Sequence, residues 1–374
     1  MTPLDRLRPP RMLLLGDARQ VHLRRWASHF AQHGYDVLTL SLEDGDEFPT
    51  PFRRIRITSL LPDALRYPLA ASVVRGIAGS FRPHVVNAHF VPNYGMIAAL
   101  VFGRRWVLST WGSDVMTDPA KSAFHRWRVG FVLRRAGWVT SDAAVMTERI
   151  RDFGVPVDRI LTFPYGVDVS AFHPERARAT TGPRIVTNRK LEDVYSVETV
   201  IDAFAAVREA LPDASLTVAG DGSRGAALRG RAQRSPAAAA ITFVGAVDHA
   251  RMPALLQSHH VYVSASRSDT TSVSLLEAMA CGLFPVVTDI EANREWIVDG
   301  ESGRLVPPGE ATRLAVAIID AWRDSELRER ALRINLRAVE ERARWEETMR
   351  PVQALFDEMT AGAHEHPGAA RRTR

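Results

Sequence analysis

The sequence predicts an α/β protein of two domains, each a parallel sheet flanked by helices. Three observations predict it. The chain has 374 residues, which suggests more than one domain. Short apolar runs alternate with longer amphipathic runs, the pattern of βαβ units. That alternation breaks near residues 163–174 and then restarts.

Taken in order, the apolar run at 12–15 reads as a first strand and 16–20 as the loop after it. The amphipathic run 21–33 is a helix stopped by Gly34. Apolar runs at 36–42, 54–57, 84–87, 106–110 and 137–140 read as further strands. Residues 163–168 (FPYGVD) are turn-rich, and an Arg/Ala/Thr/Gly stretch follows Pro174. The linker is placed there, so residues 1–168 form one domain and 169–344 the other. The second half repeats the alternation, with strands at 184–187, 215–219, 241–244, 261–265 and 285–288. Helices are expected near 196–210 and through Glu277, and residues 314–347 are mostly helical and charged. Residues 361–374 are polar and basic and read as a disordered tail.

Composition narrows the function classes. Cys281 is the single cysteine, so no intramolecular disulfide can form and a reducing compartment fits. It lies in an apolar run and reads as a packed small hydrophobe. The run at 12–15 is too short for a signal peptide, and no apolar segment approaches a membrane span. A cytoplasmic protein is expected. The net charge is +5, but Lys121 and Lys190 are the only lysines, so the excess is arginine. No zinc-ligand spacing or nucleic-acid signature accompanies it, and no nucleic-acid partner is expected.

The most informative segment is 266–288, SRSDTTSVSLLEAMACGLFPVVT. A strand leads into a loop of hydroxyl residues, then a helix, then a Gly and a Pro before another buried strand. Hydroxyls at a helix N-terminus favour an anion, because backbone N–H groups and the dipole point at it. Asp269 and Glu277 can then bond sugar hydroxyls on either side of a diphosphate. On the residues alone, an ordinary strand-loop-helix with surface acids is the other reading. The segment resembles the donor-site signature of glycosyltransferase family 4, whose pattern is Glu, seven residues, Glu, then Ala-Met-Ala, a Gly and a Pro-Val. Asp269 stands where the first Glu is usual and Glu277 at the second. Thr271 and Ser272 replace an aromatic residue and a Gly. Residues 293–297, Gly300 and 303–309 also match the family downstream.

The resemblance implies the GT-B architecture of two facing Rossmann-like domains, with the donor held by the second. It implies a last helix at 345–360 crossing back to the first domain. Arg189, after the strand at 184–187, matches a family Arg that neutralises the diphosphate. The family's Lys five residues later is Val194 here, and Lys190 is the substitute. Fixed cations there would stabilise the charge of the leaving diphosphate. Donor contacts are further implied for Gly16, Gly245, Val247, Thr271, Ser272, Val273 and Glu277. His89 takes the second position of the family's His-x-His, near the transferred sugar; Asn87 replaces the first His. A satisfied structural histidine is the alternative. His89, Asp269, Arg189 and Lys190 are thus the catalytic candidates. Trp111 stands where the family often has His, and it, Asp17 and His22 are the acceptor-side candidates.

Two motifs compete. Residues 220–225 satisfy GxGxxG after a strand, with Asp248 beyond, as in a nicotinamide site. They lie mid-chain, and the family has an Ala-Gly-Asp-Gly turn there. Asp44-Gly45-Asp46 resembles a metal-binding Asp-x-Asp but sits in an acidic loop. Residues 121–138 mix arginines with Phe124, Trp127 and Phe131, a composition suited either to an anionic membrane surface or to a helix with one side buried. A peripheral location at the inner face of the plasma membrane is the corresponding expectation.

The resemblance therefore implies a retaining glycosyltransferase using a nucleoside-diphosphate sugar, UDP ahead of GDP, with no metal and no cofactor. Its acceptor would be a small molecule or a lipid-linked group in glycolipid, polysaccharide or natural-product synthesis. An inverting enzyme of the same architecture, an NAD-dependent oxidoreductase and an inactive nucleotide-sugar binder are the alternatives.

Overall fold

The computed structural model describes residues 9–58, 60–175 and 181–365. They divide into two compact units: residues up to Phe163 together with those from Met349, and Pro164–Thr348.

In the first unit β1 (Arg11–Leu15), β2 (Asp36–Ser41), β3 (Phe52–Arg54), β4 (Val85–His89), β5 (Val107–Ser109), β6 (Trp138–Ser141) and β7 (Ile160–Thr162) form one parallel sheet. The strand order is β3-β2-β1-β4-β5-β6-β7. Met12, Leu13, Leu14 and Leu15 are all fully buried, as expected of a parallel strand covered on both faces. The order reverses between β1 and β4, and in open α/β sheets ligands bind at the carboxyl ends flanking that point. Gly16 and His89 end these two strands. A Cβ on Gly16 would lie 3.3 Å from the Cβ of His89 and 2.7 Å from Leu23, so only glycine lets the turn pass that closely.

The second unit holds β8 (Arg184–Thr187), β9 (Ser215–Ala219), β10 (Ile241–Gly245), β11 (Val261–Ser264), β12 (Phe284–Thr288) and β13 (Arg304–Val306). They pair in parallel in the order β10-β9-β8-β11-β12-β13. Alternate residues enter opposite cores. Ile185, Val261, Val263 and Val286 pack on one face, and Val186, Tyr262 and Val287 on the other. The reversal here lies between β8 and β11. The loop carrying Arg189 follows β8, and the hydroxyl-rich loop follows β11.

Most expected elements fall within a residue or two of their observed bounds. The third strand does not: it spans Phe52–Arg54 rather than 54–57. As an edge strand it pairs only with β2, and the pairing of Thr39, Leu40 and Ser41 with Phe52, Arg53 and Arg54 sets its place. β7 and β13 have three residues each, too short for a periodic signal. The last helix, Trp345–Glu365, runs beyond residue 360, and residues 366–374 of the expected tail lie outside the described residues. So do residues 176–180 of the Arg/Ala/Thr/Gly stretch.

Candidate functional site

The second unit gathers its candidates around one guanidinium. Arg189 Nη2 donates to Asp269 Oδ2 at 2.6 Å, and Nη1 donates to Ser272 Oγ at 2.6 Å and Ser274 Oγ at 2.7 Å. Below it lies the ring of Tyr195, 4.3 Å from the guanidinium carbon to the centroid. The arginine is 8% exposed, so these bonds are made in a dry setting. Burial pushes the Asp269 carboxyl above its ordinary value, against the pull of Arg189. Burial also works against the charge of Arg189, but the Asp269 carboxylate prevails and holds the guanidinium pKa above its ordinary value.

The loop that supplies these partners also starts a helix. Ser272 caps Val273–Ala280 by accepting from Leu275 N. Thr270, Thr271 and Ser272 are buried beside it. Tyr262, in the core, reaches Ser274 Oγ through its hydroxyl at 3.0 Å. One helix thus presents Ser272 and Val273 at its start and Glu277 one turn on. Glu277 is 5% exposed, and its Oε1 accepts from His249 Nε2 at 2.9 Å. That imidazole packs on Phe172 with ring centroids 5.3 Å apart. Lys190 is exposed. Gly245 and Val247 lie on the segment leading to His249, and Gly245 has φ +74°.

The GxGxxG run is part of the support. It follows β9, one strand away from the reversal point. Gly220 has φ +144°, and a Cβ there would lie 2.3 Å from the Arg189 carbonyl oxygen. Leu191 N donates to Asp221 O at 3.0 Å, and Arg224 N to Leu191 O at 2.9 Å. The glycines let this turn press against the backbone of the Arg189–Lys190 loop.

The first unit brings another set of candidates to the end of β4. His89 is fully buried, and burial, with His22 as a lesser cause, drives its pKa down to about 3. Its Nδ1 accepts from Trp111 Nε1 at 3.2 Å. His22 stands edge-on to Trp111 with centroids 5.7 Å apart. Asn87 turns across to β5, donating to Val107 O at 3.1 Å and Ser109 Oγ at 3.0 Å. Asp17 accepts from the Arg19 side chain at 2.8 Å and 3.0 Å, and although burial alone would raise its pKa, Arg19 brings it below the usual carboxylate range. Asp44 pairs with Arg54.

Sequence reasoning did not single out Tyr195, Ser274, His249 or Asp114. Tyr195 lies beside Val194, where the family Lys is absent, and fills the space under Arg189 instead. Ser274 was visible inside the hydroxyl run. His249 carries no local signal, since its partner is 28 residues away; Asp114 follows Trp111 closely and has one local partner there, but its other partner is 23 residues away.

Comparisons with known proteins match each half of the chain. Residues 168–335 match the family described as glycosyl transferases group 1, and residues 11–143 that described as glycosyl transferase 4-like. A glycogen synthase of Mycobacterium tuberculosis is 27% identical over 275 residues, covering 69% of this chain and 64% of that protein. A phosphatidyl-myo-inositol mannosyltransferase of Mycobacterium leprae is 26% identical over 272 residues, covering 72% of this chain and 59% of that protein. The chain thus matches about three fifths of the length of these relatives. The Anabaena HepE structure with UDP and glucose superposes with a TM-score of 0.78 at 16% identity, covering 93% of this chain and 100% of the other. The match in each half places the chain in glycosyltransferase family 4, and the two parallel-sheet units with this structural likeness give the GT-B fold.

Proposed function

We propose that the protein is a retaining glycosyltransferase that moves a sugar from a nucleoside-diphosphate donor, UDP in preference to GDP, to an acceptor hydroxyl. The observation that carries this reading is the cluster at the β8/β11 reversal: Arg189, Asp269, the Ser272-capped helix and buried Glu277. In this reading the diphosphate lies against the N-terminal turn of Val273–Ala280, where the dipole favours negative charge. Lys190 and Arg189 neutralise it. Glu277 holds the ribose hydroxyls, with Gly245 and Val247 beside the nucleotide, and Asp269 faces the sugar. In the first unit, Gly16 and His89 are the donor-side residues and Asp17, His22 and Trp111 the acceptor-side ones.

The sugar C1–O bond to the diphosphate breaks, and a C1–O bond to the acceptor forms on the same face. The acceptor proton passes to the leaving phosphate oxygen, so no protein base is needed. UDP is favoured by the ligand of the Anabaena neighbour, and a lipid-linked acceptor by the name of the mannosyltransferase relative. A peripheral cytoplasmic location at an anionic membrane fits the exposed Phe124 and Trp127 on Ala123–Arg135. Among the described residues no helix is long and apolar enough to cross a membrane.

The test is a screen of UDP- and GDP-sugars for slow donor hydrolysis and transfer, with the product anomer read by NMR. Turnover with retention, undiminished by EDTA, is the expected result. Inversion, or activity lost in EDTA and restored by manganese, would overturn it and return attention to Asp44 and Asp46.

A further inference from the structure

We infer that Trp111 and Asp114 are positioning residues that hold His89 as the neutral imidazole protonated on Nε2, a fixed hydrogen-bond donor rather than a base. The indole N–H of Trp111 meets His89 Nδ1 at 3.2 Å. An indole N–H only donates, so Nδ1 must keep its lone pair. The single proton of the neutral ring then belongs to Nε2, an assignment from bonding chemistry. Burial keeps the ring neutral, since charging it would leave a cation in a dry site.

A second set of bonds holds Trp111 in place. Asp114 is fully buried on the short helix Ser113–Met116. Its Oδ1 accepts from Trp111 N at 3.0 Å and its Oδ2 from Val91 N at 2.9 Å. One carboxylate therefore ties the loop bearing Trp111 to the turn just after His89. The backbone is bent to allow this. Gly112 has φ +94°, and Phe90, between His89 and Val91, has φ +75°. A left-handed phenylalanine is strained and persists only where surrounding bonds over-determine it. The Trp26 ring, perpendicular at a centroid distance of 4.9 Å, walls the other side of His89.

The result is a proton with nowhere to go. His89 Nε2 is buried and has no hydrogen-bond partner among the described residues. A buried donor left unmet is destabilising. It sits at the carboxyl end of β4, beside the reversal point where such sheets bind ligands. The donor is therefore set toward an oxygen of a bound ligand. That last step rests on the proposed glycosyl transfer, in which Nε2–H meets an oxygen of the sugar and His89 never takes the acceptor's proton. The tautomer itself does not depend on it.

The test uses the 15N-labelled full chain and two-bond 1H–15N spectra of its imidazoles, with His89 assigned by the signal lost in His89→Gln. The expected wild-type pattern is a single Nε2–H tautomer that does not shift between about pH 5 and 8, the range in which an ordinary histidine changes charge. Trp111→Phe should shift His89 toward a mixture of tautomers. Trp111→His, which restores a ring N–H, should bring the single tautomer back. An Nδ1–H pattern in the wild type, a normal titration, or no shift in folded Trp111→Phe would overturn the inference. If the tautomer stands while no nucleotide sugar is turned over, the proposed function fails and this inference does not.

Discussion

Arg189 is the centre of the second unit's candidate cluster, and its bonds set it apart from Lys190. It is buried and paired with Asp269, whereas Lys190 is exposed. Arg189→Ala should therefore both cut turnover and lower stability, because removing one partner of a buried pair strands the other at a cost of about 3–5 kcal/mol. Lys190→Ala should cut turnover by about ten- to a thousandfold, the scale of one charge-stabilising group, at unchanged Tm. Kinetics with thermal melts check both; an Arg189→Ala variant with wild-type melting and wild-type rate would remove the arginine from the site. Glu277→Ala should weaken nucleoside diphosphate binding about ten- to a hundredfold, as for a lost charged hydrogen bond, measured by calorimetry. His249→Ala, which takes away only the partner, should weaken it less. Acid stability follows from His89. Its pKa is lowered from 6.5 to about 3, so the unfolded chain binds the proton more readily in that window, and stability present above pH 6.5 is lost as pH falls. Asp114, raised by burial from 3.8 to about 6, acts oppositely and loses stability as pH rises through its window. In urea melts from pH 4 to 7, His89→Gln should flatten the acid loss and Asp114→Asn should steepen it.

At the scale of elements, Ala123–Arg135 is the unusual helix. Phe124, Trp127 and Phe131 stack in series, with centroids 5.9 Å and 5.5 Å apart, and Phe124 and Trp127 are 51% and 56% exposed. Arg128 and Arg135 lie over the rings of Phe124 and Phe131. Its other side, with Val129, Val132 and Leu133, is core. The helix thus has a buried face and an exposed aromatic-basic one. Binding to vesicles containing anionic lipid should be measurable at low salt, fall as salt rises, and drop in a Trp127→Ala/Arg128→Ala double variant, as co-sedimentation would read. Failure to pellet at low salt would favour a soluble acceptor.

For the whole molecule, the donor reading places nucleotide contacts in the second unit except at Gly16. Saturating UDP should raise the stability of the native chain by about 2.7 kcal/mol at a hundredfold excess over Kd. Amide exchange should then slow at residues 188–191 and 269–277 more than across β5 to β7. Equal protection throughout, or none near Arg189, would count against the assignment.

The sequence by itself determined the fold class, because short continuous apolar runs with amphipathic runs between them leave a parallel α/β sheet as the solution that buries both. It also grouped Asp269, the hydroxyls and Glu277, since they lie within one strand-loop-helix whose geometry is local. Edges were less legible: β3, β7 and β13 have three residues each, and their extent is set by a neighbouring strand. Partnerships were not legible at all. That Asp269 spends its carboxylate on Arg189, 80 residues away, that Glu277 meets His249, and that Asp114 ties Trp111 to the turn after His89 depend on which strand ends the sheet order makes adjacent. Tertiary structure decided these because burial and hydrogen-bond satisfaction act between elements, whereas periodicity acts within one.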